Sequence, residues 1–79
     1  MSREAYLTQV KDIIEETLGL TDLIVTEESK ASDIEDWDSI MHVEIIVNIE
    51  NEFDVKFKTL EIESFKNIGD IITGIEGKK

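Results

Sequence analysis

The sequence predicts an all-α fold: a small bundle of three main helices plus one short helix, with a long loop between the first two. Three observations predict it. Apolar residues recur at spacings of three and four along most of the chain. The 79 residues contain no proline and only four glycines, so little interrupts helix propagation. With no cysteine to cross-link it or bind a metal through thiolates, the chain must be held by packing its 41% of apolar residues. Its length is that of one domain, residues 1–79. A domain this small buries about 60–65% of the surface its unfolded chain exposes, so the core has to be efficient.

The first helix is expected from Arg3 to Leu18, where Tyr6, Leu7, Val10, Ile13, Ile14 and Leu18 share one face. Ser2 can cap its start, and Gly19 stands where a left-handed residue ends a helix. Periodicity then stops. From Leu20 to Asp38 the chain mixes Thr, Ser, Asp and Glu with Leu20, Leu23, Ile24, Val25, Ile34 and Trp37, which should tuck over the core. A loop this long is often functional.

A second helix should run from Ser39 to Phe53, with Ile40, Val43, Ile46, Val47, Ile49 and Phe53 inward and Glu44, Glu50, Asn51 and Glu52 elsewhere. Asp54 ends it, and Val55 and Phe57 form an apolar connector. Residues 59–65 suggest one or two helical turns capped by Thr59. Asn67 can cap a last helix whose face is Ile68, Ile71, Ile72 and Ile75, and the cations Lys78 and Lys79 suit its C-terminal end.

Nineteen acidic against eight basic residues give a formal net charge of −11. Such a surface repels nucleic acid and anionic membranes and steers toward basic protein partners. No apolar run approaches the ~20 residues of a membrane span, and the charged start of the chain is unlike a signal peptide. A soluble, cytoplasmic location is expected.

The chain offers little to an enzyme. It has one histidine, no glycine-rich phosphate loop and no zinc spacing. Asp38, Ser39 and His42 have the residue types of a hydrolase triad but crowd one helix start, where they can hardly align in series. His42 reads as an exposed helix residue. The Asp33–Asp38 stretch fails as a calcium loop, since Trp37 or Ile40 falls where a ligand is needed and no central glycine exists. No catalytic or metal-ligating set is expected. What remains is Asp36-Trp37-Asp38-Ser39-Ile40, at the junction of the long loop and the second helix. One reading makes Ser39 or Asp38 merely an N-cap. The other notes that a serine there presents its hydroxyl where backbone N–H groups and the helix dipole favour a phosphate.

Asp38-Ser39-Ile40, then Val43-Glu44, then Ile49-Glu50-Asn51-Glu52-Phe53-Asp54, resembles the signature of the acyl carrier protein family. The resemblance covers nearly the whole chain, with Phe57, Ile62, Phe65, Ile68 and Ile72 at the family's apolar positions. It implies a non-enzymatic monomer whose Ser39 receives 4'-phosphopantetheine from coenzyme A. The arm's thiol then holds acyl groups as thioesters and presents them to the enzymes of fatty acid or specialised, polyketide-type biosynthesis. Partners implied are a phosphopantetheinyl transferase and acyl-processing enzymes with basic patches, met by Asp38, Ile40, Met41, Glu44, Glu50 and Glu52. Val43, Val47, Ile49, Ile62 and Phe65 resemble positions that can shelter an acyl chain.

The sequence departs from the family in several places. Ile40 replaces the usual leucine, Met41 stands where fatty-acid carriers commonly have an acid, and Asn51 interrupts the acidic cluster. Trp37 resembles carriers of specialised pathways, and the Gly-Gly-Asp-Ser motif of many peptidyl carriers is absent. The alternative is an acidic helical interaction module that is never modified and has no need of Ser39.

Overall fold

The computed structural model describes residues 2–34 and 36–78. In chain order these form α1 (Arg3–Leu18), a 3-10 turn (Ala31–Asp33), α2 (Ser39–Phe53), α3 (Thr59–Ser64) and α4 (Ile68–Lys78), the expected bundle. Helix α1 begins where Ser2 Oγ accepts the Ala5 N–H at 3.2 Å. It ends on Gly19, whose φ of 72° lies in the left-handed region that costs glycine nothing. The Leu20 N–H then closes back onto the Glu15 carbonyl at 2.8 Å.

The core is wholly apolar among the described residues and dominated by isoleucine: Ile14, Ile45, Ile46, Ile49, Ile68, Ile71, Ile72 and Ile75 are fully or almost fully buried. At its margin Tyr6 tilts against Phe53 with ring centroids 5.5 Å apart. Phe57 and Phe65 meet edge to face at 5.2 Å, an arrangement that aromatic quadrupoles favour.

Two expectations about facing are corrected. In α2 the apolar residues nearly encircle the helix, and packing selects Ile45, Ile46, Ile49 and Phe53 as the inward stripe. Ile40, Val43 and Val47, spaced i, i+3 and i+7, share the opposite face and are exposed, Ile40 at 76%. In the long loop Ile34 and Trp37 are buried, and Leu20, Leu23 and Val25 pack against the core. Ile24 is 92% exposed, because neighbours in an extended segment point to opposite sides.

The loop is fastened rather than free. Ser29 and Glu27 carbonyls accept the Ile68 and Gly69 N–H groups at 3.0 and 2.7 Å, and Lys30 pairs with Asn67 in an antiparallel bridge. The Arg3 guanidinium reaches Glu27 through Nε and Nη2, Glu76 through Nη1, and the Gly69 carbonyl, joining α1, the loop and α4. That fork holds the Glu27 carboxyl below the usual carboxylate range. Glu15 is likewise lowered, chiefly by the Leu23 N–H at 2.7 Å and then by Lys11.

At α3 the cap is not Thr59, which is the first helical residue. Lys58 takes the cap position, and its N–H donates to Glu61 Oε1 at 2.9 Å. Asn67 does cap α4, accepting the Asp70 N–H at 2.8 Å. Lys78 lies in the last turn of α4 and pairs with Glu61, tying α4 to α3; Lys79 lies outside the described residues.

Candidate functional site

The start of α2 is built by Asp38. Its backbone is extended, its Oδ1 accepts the Met41 N–H at 2.9 Å and its carbonyl accepts the His42 N–H at 2.9 Å. Capping therefore falls to Asp38, which leaves the Ser39 hydroxyl free of that duty. Ser39 is the first residue of the helix and is exposed. Amides at the start of a helix lack intrahelical acceptors and carry the positive end of its dipole, which suits an oxygen bearing a phosphate.

The other expected site residues separate into two groups. Ile40 is exposed beside Ser39, Met41 is half-buried, and Glu44 is exposed one turn on. Glu50 and Glu52 lie at the far end of α2, about 16–20 Å along the axis from Ser39 at 1.5 Å per residue. Glu52 is exposed, but Glu50 is half-buried and its Oε2 accepts the Phe57 N–H at 2.7 Å. That bond holds the connector after α2 in place.

Beside Ser39 opens a groove of about 610 Å³ between the end of the long loop, α2 and α3. Trp37, His42 and Val43 line one side and Ile62 and Phe65 the other, with Asp38 and Ser39 at its edge. Val43 thus faces this groove in part and not the core. His42, expected to be exposed, is instead half-buried and held at both ring nitrogens. Trp37 Nε1–H donates to Nδ1 at 3.1 Å, and Nε2 lies 3.3 Å from the Ile62 carbonyl. The Trp37 and His42 rings stack at 5.8 Å. Only the Trp37–His42 spacing of five could have signalled this pairing, and the carbonyl partner has no sequence signal at all. A second, more polar groove of about 490 Å³ lies between α1 and α2 and includes Glu16, Glu44, Asn48 and Glu52.

This arrangement does not support hydrolysis. Indole N–H is purely a donor, so His42 Nδ1 is an occupied acceptor, and Nε2 is turned to Ile62. Neither nitrogen serves as a base for Ser39, and Asp38 is engaged with the backbone. Among the described residues no His, Cys, Asp and Glu group is arranged to hold a metal. No described helix is long and apolar enough to cross a membrane.

Comparison with known proteins agrees on one family. The family described as "Phosphopantetheine attachment site" matches residues 8–75. An acyl carrier protein of Thermotoga maritima is 40% identical over 77 residues, covering 98% of this chain and 95% of that one. One from Micrococcus luteus is 34% identical, covering 96% and 94%. The solution structure of a holo acyl carrier protein from Geobacter metallireducens superposes with a TM-score of 0.84 at 30% identity, covering 91% of this chain and 83% of that one.

Proposed function

The chain belongs to the acyl carrier protein family, carriers rather than enzymes that hold phosphopantetheine covalently, and from that premise we propose that Ser39 is the attachment residue. The observation that carries this reading is an exposed serine at the first position of α2, relieved of capping by Asp38 and set at the edge of an apolar groove. The arm supplies a terminal thiol on which acyl groups are held as thioesters. The chain's own residues do the rest. Ser39 Oγ gives up its proton as it bonds to the phosphorus next to pantetheine; the pyrophosphate P–O bond of coenzyme A breaks and adenosine 3',5'-bisphosphate leaves. Asp38 holds the first turn of α2 through the Met41 N–H.

The exposed stripe Ile40, Val43 and Val47, with Glu44 beside it, forms the docking face in this reading. Carboxylates there steer a basic partner, and the apolar stripe gives it a small dry contact. Weak, fast exchange suits a shuttle between the transferase and the enzymes of fatty acid or polyketide-type biosynthesis. Glu44 and Glu52 are the better electrostatic candidates, since Glu50 also anchors Phe57. The protein acts as a monomer in the cytoplasm.

The test is intact mass after incubation with coenzyme A and a phosphopantetheinyl transferase. One arm should be added, and Ser39→Ala should abolish it without loss of helical circular dichroism. Addition at another serine, or none, would reject Ser39.

A further inference from the structure

We propose that His42 is a specificity-determining residue: it bolts α3 to the arm-bearing end of α2 and restricts the groove beside Ser39 to short acyl groups. The inference rests on the reading that Ser39 carries the arm, and the occupant it concerns is the acyl group on that arm.

The tautomer follows from donor chemistry. Trp37 Nε1–H can only donate, so Nδ1 of His42 is unprotonated and the ring proton sits on Nε2, directed to the Ile62 carbonyl. One neutral imidazole thus joins the end of the long loop, the first turns of α2 and the last turns of α3. Helix α3 has six residues and none is buried; besides the bolt it is held by Ile62 packing on the core margin, by Phe65 directly after it and by the Lys78–Glu61 surface pair.

The bolt lies across the route into the protein. A group tethered at Ser39 meets the groove at high effective concentration, so whatever fits will occupy it. To go deeper, a chain must part Ile62 from His42 and bring hydrocarbon against Trp37. Trp37 is only 7% exposed, and losing Nδ1 would leave its N–H buried without an acceptor, which is costly. In the core Ile46, Ile49, Ile68 and Ile72 are completely buried, and Ile62 and Phe65 of the groove wall pack against that core. Added methylenes must displace close-packed side chains. Short groups meet neither obstacle.

The experiment uses the holo-protein, with the arm located on Ser39 by mass, charged with butyryl or decanoyl groups. These have equal intrinsic reactivity at the thioester, so unequal cleavage by hydroxylamine reports shelter. In the wild type the two rates should agree within about twofold. In His42→Ala, and in Trp37→Phe, which keeps a ring but removes the donor, decanoyl should be cleaved about fivefold more slowly than butyryl, the factor expected for one net hydrogen bond. Strong protection of decanoyl in the wild type, unchanged in both variants, overturns the proposal. If no arm appears on Ser39, the attachment reading fails by itself. The bolt is then read in the unmodified protein from hydrogen exchange of the Trp37 indole proton, which His42→Ala should speed about fivefold; unchanged exchange overturns it.

Discussion

Adding one methyl group at Gly74 opposes two well-defined effects and tests the packing that shapes the groove. Gly74 lies inside α4, where glycine-to-alanine ordinarily stabilises by about 1 kcal/mol. Here a Cβ would stand 3.0 Å from Phe65 Cζ and 3.1 Å from Phe57 Cε1. Carbon atoms rest at about 3.5–4.0 Å, so both rings must yield. They brace one another edge to face, and Phe57 is buried, so neither can simply swing aside. Overpacking of this kind costs about 1–3 kcal/mol, and disturbing the ring pair adds about 0.5–1.5 kcal/mol. After subtracting the helix gain, Gly74→Ala should destabilise by about 0.5–3.5 kcal/mol, lowering Tm by roughly 4–8 °C per kcal/mol in a domain of this size. Gly77→Ala is the control. A Cβ there meets nothing within 4 Å, so it should be neutral or slightly stabilising. The assay is thermal unfolding by circular dichroism, with urea midpoints at unchanged slope as a second measure. A Gly74→Ala protein at least as stable as Gly77→Ala would refute the close packing of Phe65 and Phe57 on α4.

Asp38→Ala should cost about 1 kcal/mol through loss of the cap on Met41, and should slow arm addition at Ser39 in the transferase assay. Glu15, Glu27 and Glu61 are held below the ordinary carboxylate range, so their contributions are complete above the unfolded value of about 4.3 and are lost as pH falls through the folded values. The Tm difference between wild type and Glu27→Gln should accordingly shrink toward zero as the melts are taken to progressively more acid pH. Repulsion within a net charge of −11 should make Tm rise with added salt. Glu52→Gln, near the negative end of the α2 dipole, should stabilise by a few tenths of a kcal/mol, and a Tm flat with salt would contradict both. Glu44→Lys should slow association with the transferase at low salt, and association unaffected by either charge or salt would leave the apolar stripe alone as the docking contact.

Helix ends were legible because their signals are local. Ser2, Gly19, Asp38 and Asn67 each act within a few residues, and α1 and α2 fall where those signals put them. Ser39 was legible as a serine at a helix start, although Asp38 had to be seen on Met41 to show which of the two caps. The inward face of α2 was not legible, because Ile40, Val43, Ile45, Ile46, Val47 and Ile49 leave almost no polar side to orient the helix. Lys58 displaced Thr59 as the α3 cap because Glu61 could reach back to the Lys58 N–H. The His42 position depends on a carbonyl twenty residues away, and backbone acceptors carry no side-chain signature.

The isoleucine interior has a consequence for how this molecule can change shape. In a helix an isoleucine is held to essentially one χ1 rotamer before any packing occurs. Side chains at 45, 46, 49, 68, 71, 72 and 75 therefore have few alternative poses with which to absorb an intruding atom, unlike the adaptable thioethers of methionine. Met41 is half-buried and outside this core. Deformation is left to the rim, where whole backbone segments shift and the interior keeps its rotamers. The δ1 methyl groups of these isoleucines should register that division as a nearly invariant set of resonances whichever acyl group the protein carries.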